Sequence, residues 1–327
     1  MIRNITYSVL MSVYGGDSPE YLETALKSIY DDQTKKPDEI VIVEDGPITE
    51  ELDKCIAGFA EHVAGKNGGT AAGENHDCSC AQTEDSLKEE SFTDSGNAEK
   101  CNSAKYHTVV KRFRLPDNRG LGEALRIGSE QCTGDYIIRM DSDDVSDPRR
   151  VELMDRYLTK HPEIDVLGTD IGEFMDDPSK IIRTRVCPRN AKGIARMCRK
   201  RNPMNHVSVA IRKEALDEVG GYIALPLLED YYLWVRMIAA GKVLRNIGKS
   251  LVHVRIGNGF EKRRRKVDRV TNWKKIQDFM LEHKMINRFE AFRNMISIRL
   301  FVYSPVFIKK FAYNRLLRKR SYQETES

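Results

Sequence analysis

The sequence predicts an α/β protein: a mostly parallel sheet flanked by helices, with a basic helical appendage at the C-terminal end. Three observations carry this prediction. Short apolar runs bounded by turn residues alternate with segments whose apolar residues recur at helical spacing. Two of the runs end in carboxylates, and parallel α/β sheets place their ligands at the carboxyl ends of strands. Charge is also divided along the 327 residues. The net charge is +4, yet Glu261–Arg320 holds 18 Lys and Arg against 5 Asp and Glu. That excess of 13 leaves the rest of the chain at −9, an acidic body carrying a basic tail.

The elements follow in order. Val9 to Tyr14 is a short apolar run that suits a buried strand. Asp17-Ser18-Pro19-Glu20 supplies a capping residue, an early proline and an early carboxylate, and Leu22, Ala25, Leu26 and Ile29 follow at helical spacing. Ile40 to Val43 is the next strand, ending in Glu44-Asp45-Gly46-Pro47, and strand-helix-strand in this order implies a right-handed parallel unit. From about Gly65 to Lys105 the pattern dissolves into Gly, Ser, Asn, Thr and Glu, a tract too poor in large apolar residues to order itself. It is expected to be a disordered or loosely held insertion, with a substrate lid as the alternative.

Thr108 to Phe113 then reads as a strand, and "LPDNRGLGEALRIGSEQCTG" as a turn leading into a helix. Tyr136 to Met140 is a strand, and Pro148 opens a helix over Arg149 to Lys160. Ile164 to Met175 and Val207 to Ile211 read as strands, Lys213 to Val219 and Glu229 to Ala240 as helices closed by glycines, and Leu251 to Ile256 as the last strand. Seven scattered cysteines show no paired spacing that suits zinc, so free thiols in a reducing compartment are expected. The N-terminal stretch lacks a small-residue cleavage site and reads as a first buried strand. No stretch reaches the roughly 18 apolar residues that a spanning helix needs.

"RMDSDD", residues 139–144, places three carboxylates directly after an apolar strand. Residues two apart on an extended chain point the same way, so Asp141 and Asp143 share a side while Asp144 faces the other or turns into the loop. Two carboxylates at a strand end form a hard-oxygen site for a divalent cation, Mg²⁺ or Mn²⁺, shared with substrate phosphates. Capping of the following helix is already assigned to Asp147, which leaves the other three unexplained.

The stretches "SVLMSVYGGD", "PDEIVIVEDGP", "NRGLGEALRIG", "GDYIIRMDSDD", "RNPMNHVSVAIRK" and "LLEDYYLWVRMIAAGK" occur in one order. In them the chain resembles family 2 glycosyltransferases of the GT-A fold, within the branch that builds bacterial exopolysaccharide and capsule, amylovoran among them. The resemblance spans Ser8 to Gly257 apart from the insertion, giving a GT-A domain over residues 1–257 and a basic, amphipathic helical tail over 258–327.

What the resemblance implies is a metal-dependent, inverting transfer from a nucleotide-diphosphate sugar, a UDP-sugar above all. Val13 and Tyr14 would pass beside the nucleotide base, and Asp45 would accept a hydrogen bond from it or serve the turn before Gly46. Asp141 would hold the ribose or the metal's water shell, and Asp143 would ligate the metal. Asn118 and Arg119 precede a helix N-terminus that either approaches the nucleotide or is an ordinary helix start. Asp230 would be the general base. Glu229 beside it, His206 in "NHVSV" and Trp234 fall on the acceptor side, where a structural histidine and a core aromatic are the alternatives. Many relatives carry a histidine just beyond the arginine that follows the last strand. Here "VHVRIGNG" offers Arg255 and, two positions on, Gly257 instead, which leaves the third metal ligand open and lets Arg255 contact phosphate.

In the tail, Ile296, Ile298, Leu300, Phe301, Val302, Val306, Phe307 and Ile308 are flanked by Arg and Lys. Interrupted by Arg299 and Pro305, the run suits an interfacial helix on anionic lipid, with a solvated helical appendage packing on the body as the alternative. The resembling enzymes commonly use a glycan acceptor on a polyprenyl diphosphate, so the expected place is the cytoplasm, peripheral to the inner face of the cell membrane. No nucleic-acid partner is expected, although clustered cations attract any polyanion. The alternatives are a sugar nucleotidyltransferase, which usually carries a Gly-rich phosphate loop that "VYGGDSPE" lacks, and a non-enzymatic polyanion-binding protein using the tail.

Overall fold

The computed structural model describes residues 4–68, 107–257, 266–304 and 319–320. The chain runs β1 (Tyr7–Val13), α1 (Pro19–Ile29), β2 (Glu39–Glu44), α2 (Glu50–Gly68), β3 (Val109–Arg114), α3 (Leu121–Gln131) and β4 (Tyr136–Asp141). It continues through β5 (Val145–Ser146), α4 (Arg150–Lys160), β6 (Val166–Phe174), β7 (Arg183–Arg185) and α5 (Ala191–Cys198). A 3₁₀ turn (His206–Ser208) leads to β8 (Ala210–Arg212), α6 (Lys213–Glu218), α7 (Glu229–Ala239) and β9 (Leu244–Arg255). The described tail holds α8 (Lys266–Glu282), α9 (Arg288–Tyr303) and β10 (Lys319–Arg320).

The sheet order is β10-β7-β6-β8-β4-β1-β2-β3, with β9 beside β6 and β5 against β9. β4, β1, β2 and β3 are parallel; beyond β4 the sheet is mixed, because β8 and β7 run antiparallel to their neighbours. All six residues of β2 and nearly all of β1 are buried, as strands covered on both faces must be. One apolar cluster packs Leu22, Leu26, Leu52, Ile56 and Met154 from α1, α2 and α4 on one face. A second packs Leu125, Leu216, Leu233 and Trp234 from α3, α6 and α7 on the other. A third joins Cys198, Tyr231 and Val235 to Trp273, Ile276, Met280, Ile298 and Val302, so α8 and α9 share a core with α5 and α7.

Register matters most for function. Val13 lies opposite Glu44, and Ser12 opposite Asp141, so the ends of β1, β2 and β4 are level. Three sequence readings change. Val207 to Ile211 is a strand only from Ala210, because Asn205 and Ser208 side chains bond the Thr169 carbonyl and hold a turn there instead. The last strand starts earlier, at Leu244, through an irregular register with β6. Residues 65–68 close α2, a helix the sequence reading did not delimit, and the rest of the expected insertion to Lys105 lies outside the described residues.

Candidate active site

The site is assembled at the level strand ends. After β1, the Val13 carbonyl accepts the Asp45 backbone N–H at 2.7 Å, which ties the ends of β1 and β2. The Tyr14 N–H donates to Asp17 Oδ2 at 3.1 Å, and the same oxygen accepts the Ser142 hydroxyl at 2.8 Å. Asp17 therefore bridges the end of β1 to the acidic loop; it does not cap α1, whose N-cap position is Ser18. Asp45 is buried, and its two oxygens accept the Arg119 and Gly120 N–H groups at 2.7 and 2.9 Å. In the structure it holds the 118–120 turn, a role that the sequence reading, which gave it the nucleotide base or the turn before Gly46, did not name. Gly46, at φ +85°, permits that turn: a Cβ there would sit 2.5 Å from the Asn118 nitrogen. Asn118 and Arg119 are exposed at its outer edge.

Beyond β4, Asp141, Asp143 and Asp144 bring one oxygen each within 4.8 Å of one another. Such a set of hard oxygens fits Mg²⁺ or Mn²⁺. Oδ2 of the buried Asp144 has no hydrogen-bond partner among the described residues, as expected of an atom placed for a ligand. Partial enclosure, with Asp141 and Asp17 beside it, pushes Asp143 up to about 6. Arg139, buried on β4, forms an ion pair with Asp141 and leaves Nε unpartnered. Burial opposes its charge, but Asp141 outweighs burial and keeps the guanidinium ionised.

Arg255 pins this loop from β9. Its N–H donates to Asp144 Oδ1 at 2.8 Å and its Nε to the Asp143 carbonyl at 3.2 Å. Nη1 reaches the Met175 carbonyl at 3.2 Å, and the guanidinium lies 3.8 Å from the Tyr21 ring centroid and 4.6 Å from that of Phe174. Stacked and bonded to carbonyls, it braces the acidic loop that follows β4.

Glu229 and Asp230 open α7. Asp230 Oδ1 accepts the Tyr231 N–H at 2.6 Å, and Oδ2 accepts the Asn202 amide at 2.5 Å. Burial raises both carboxyls, Glu229 to about 7 with Asp230's charge as the second cause. The Tyr231 N–H, Arg185 and the Asn202 amide all favour the ionised form of Asp230, so Asp230 loses its proton first and Glu229 keeps its own longer. Glu229 packs beside α3: a Cβ on Gly122 would lie 3.5 Å from the Glu229 Cβ. The start of α3, which the 118–120 turn leads into, therefore lies against the acid pair, and Arg139's charge acts on both carboxylate groups.

A family model, glycosyl transferase family 2, matches residues 94–220. The UDP-Gal:alpha-D-GlcNAc-diphosphoundecaprenol beta-1,3-galactosyltransferase of Escherichia coli is 31% identical over 315 residues, covering 96% of this chain and 97% of the relative. The chain belongs to glycosyltransferase family 2. The amylovoran biosynthesis glycosyltransferase AmsE of Erwinia amylovora is 31% identical over 79% of each chain, consistent with the exopolysaccharide branch. The fold is that of S. aureus TarS 1–349, solved in complex with UDP-GlcNAc: TM-score 0.59, 14% identity, 94% of this chain and 75% of that one.

Within this family 2 cleft, two acceptor-side expectations change. Trp234 is fully buried in the second core cluster, so it presents no face to a sugar. His206 is bonded to the Tyr222 hydroxyl at 2.9 Å, and burial, then Arg139, hold it well below its usual range. A neutral imidazole so disfavoured as a cation is a poor base, and the structural role accounts for it. Three residues went unassigned in the sequence reading: Asn202, Arg139 and Asp17. The signal for Arg139 was present, a charged residue within an otherwise apolar buried strand. Asn202, 28 positions from its carboxylate partner, gave none.

The Glu229 shift has a testable sign. A carboxyl whose folded pKa rises from 4.5 to about 7 keeps a proton that the unfolded chain has lost, so stability falls as pH rises through that window. Glu229→Gln is therefore expected to raise Tm relative to wild type at pH 8 and not at pH 4. A gain at pH 4 as large as that at pH 8 would break the assignment.

Proposed function

We propose that this family 2 protein transfers a sugar, with inversion, from a UDP-sugar to a hydroxyl of a polyprenyl-diphosphate-linked glycan in cell-surface polysaccharide synthesis. The observation that supports it most is a carboxylate cluster at the β4 end together with a half-buried, hydrogen-bonded carboxylate at the α7 start, both under the charge of Arg139. The E. coli relative, matched over nearly its whole length, is named for a UDP-sugar and a diphosphoundecaprenol acceptor. Val13, Tyr14, Asn118 and Arg119 would border the nucleotide, and Asp141 and Asp143 would hold the divalent cation. When bound, that cation neutralises the departing diphosphate. Asp230 takes the acceptor proton while the hydroxyl attacks the anomeric carbon from the opposite face.

The test is a donor panel with Mg²⁺, Mn²⁺ or chelator, read as sugar transfer to a synthetic lipid-diphosphate sugar. Metal-dependent transfer from a UDP-sugar is expected. Binding of polyanions without turnover of any nucleotide sugar would favour the polyanion-binding reading, and formation of a nucleotide sugar from a sugar phosphate would favour the nucleotidyltransferase.

The place of action follows from α9. No helix among the described residues is long and apolar enough to cross a membrane. Yet α9 exposes Phe289, Phe292, Ile296, Leu300 and Tyr303 at spacings of three and four, one outward stripe, while Ala291, Ile298 and Val302 face the core. The lipid-facing residues thus differ from the run expected from sequence, whose Val306, Phe307 and Ile308 lie outside the described residues. Exposed Arg293 and Arg299 beside the stripe suit anionic headgroups at the inner face of the cell membrane. Phe292→Glu with Leu300→Glu is expected to weaken binding to phosphatidylglycerol vesicles roughly 100-fold, since each buried side chain contributes about 1.5 kcal/mol or more. Unchanged vesicle sedimentation by the double variant would remove α9 from the membrane contact.

A further inference from the structure

A second charged feature lies outside the cleft. The turn joining α8 to α9 and the loop after α5 border an open, shallow hollow of about 790 Å³, lined by Arg199, Lys284 and Arg288 together with Met285 and Ile286. These three cations form no ion pair among the described residues; on α8 the nearby Lys274 is paired with Asp278. Two carboxylates also line it: Glu282, and Glu290, which accepts the Asn287 N–H at 3.0 Å within the capping box of α9. Lys284, at φ +55°, is the left-handed residue that closes α8, with the Met285 N–H donating to the Met280 carbonyl and the Lys284 N–H to that of Leu281. Lys200 and Arg201 continue the basic run beside Arg199.

This hollow is tied to the base. Tyr231, next to Asp230, donates its hydroxyl to the Cys198 carbonyl at 2.5 Å. Asn294 of α9 donates to the Arg199 carbonyl at 2.7 Å, and Asn202 donates to Asp230 itself. Three residues of chain from Asn202 to Arg199 span at most roughly 10 Å. A single sugar on a lipid diphosphate carries its phosphates about one ring from the hydroxyl that reacts, so for such an acceptor a hydroxyl at Asp230 brings the diphosphate toward the 199–202 loop. Arg288 precedes Phe289, the first residue of the apolar stripe, so a lipid leaving the hollow would meet that stripe at once.

We propose that the hollow formed by Arg199, Lys284 and Arg288 is the subsite for the acceptor's diphosphate, with the polyprenyl chain passing toward α9. Guanidinium groups pair with phosphate oxygens in bidentate fashion, and the N-terminal end of α9 adds its positive dipole. The proposal rests on the reading of a lipid-linked acceptor, and its test needs no turnover.

Farnesyl diphosphate, inorganic pyrophosphate and farnesol are titrated calorimetrically in chelator, which removes the metal-dependent donor site. Wild type is expected to bind farnesyl diphosphate. The exposed-site double variant Arg199→Glu/Arg288→Glu should lose at least tenfold in affinity, while UDP binding with Mn²⁺ and Tm stay unchanged. Arg199→Lys/Arg288→Lys should retain most of the binding. Pyrophosphate bound and lost in parallel would mean that the diphosphate alone is recognised; farnesyl diphosphate bound and lost without pyrophosphate binding would mean that the lipid-attached form is. Farnesol binding as tightly as farnesyl diphosphate, affinity within twofold in the Glu variant, or no binding by wild type would each overturn the subsite. A chain that transfers no sugar yet shows the charge-dependent binding keeps the subsite and loses the transferase reading; active transfer with charge-independent binding does the reverse.

Discussion

Asp143→Ala is expected to abolish metal-dependent donor binding and sugar transfer together. Of the three clustered carboxylates, Asp141 shares its charge with Arg139, and Asp144 gives one oxygen to the Arg255 N–H. Asp143 is the exposed member, and like charges from Asp141 and Asp17 surround it. Its ionised form is thus unfavourable without a cation and is the form a cation would stabilise. Even residues that only orient metal ligands typically contribute 10–100-fold in affinity, so removal of a ligand should weaken UDP binding with Mn²⁺ by about 100-fold or more. Folding should not suffer, because the substitution removes a carboxylate held above its ordinary range at neutral pH. Calorimetry with and without Mn²⁺ checks this. Metal-dependent UDP binding equal to wild type would take Asp143 out of the site.

How much of this was legible depends on how locally each feature is encoded. β1, β2 and β4 are buried on both faces, so their sequences are mostly apolar runs, broken only by residues such as Ser8 and Arg139, that end where charge begins. The acidic strand end and the acid pair of α7 follow from the same logic, since carboxylates at strand and helix ends are written in adjacent residues. Features built from distant residues were hidden. The stripe on α9 could not be separated from its buried side, because Ile296 and Ile298 are alike in sequence and opposite in exposure only once α8 and α7 take one face. Arg255 suited phosphate by charge, and only the positions of Tyr21, Phe174 and the Asp143 and Met175 carbonyls show its guanidinium engaged. Trp234 looked available for stacking until α6 and the sheet were packed around it.

Asp230→Asn is expected to lower transfer by roughly 10²–10⁴-fold, the usual contribution of a positioned general base, with donor affinity nearly unchanged. The amide keeps the size of the carboxylate, and its oxygen can still accept the Tyr231 N–H that Oδ1 now accepts at 2.6 Å. Its NH₂ cannot accept the Asn202 amide, so the position occupied by Oδ2 becomes a donor facing a donor. That local conflict predicts a modest fall in Tm rather than unfolding, because α7 remains anchored by Tyr231, Leu233, Val235 and Met237 in two core clusters. Asn202→Ala separates positioning from chemistry: it leaves the base in place but frees one oxygen, so its kcat should fall less than that of Asp230→Asn. It also removes a donor that favours ionisation, so the acidic limb of its pH–rate profile should move to higher pH. The donor Kd with Mn²⁺ is the control throughout, since Asp143→Ala damages it and neither of these variants should. A folded Asp230→Asn protein with near wild-type kcat would transfer the base role elsewhere, and Glu229, the neighbouring carboxyl that keeps its proton to about pH 7, is the group to test next.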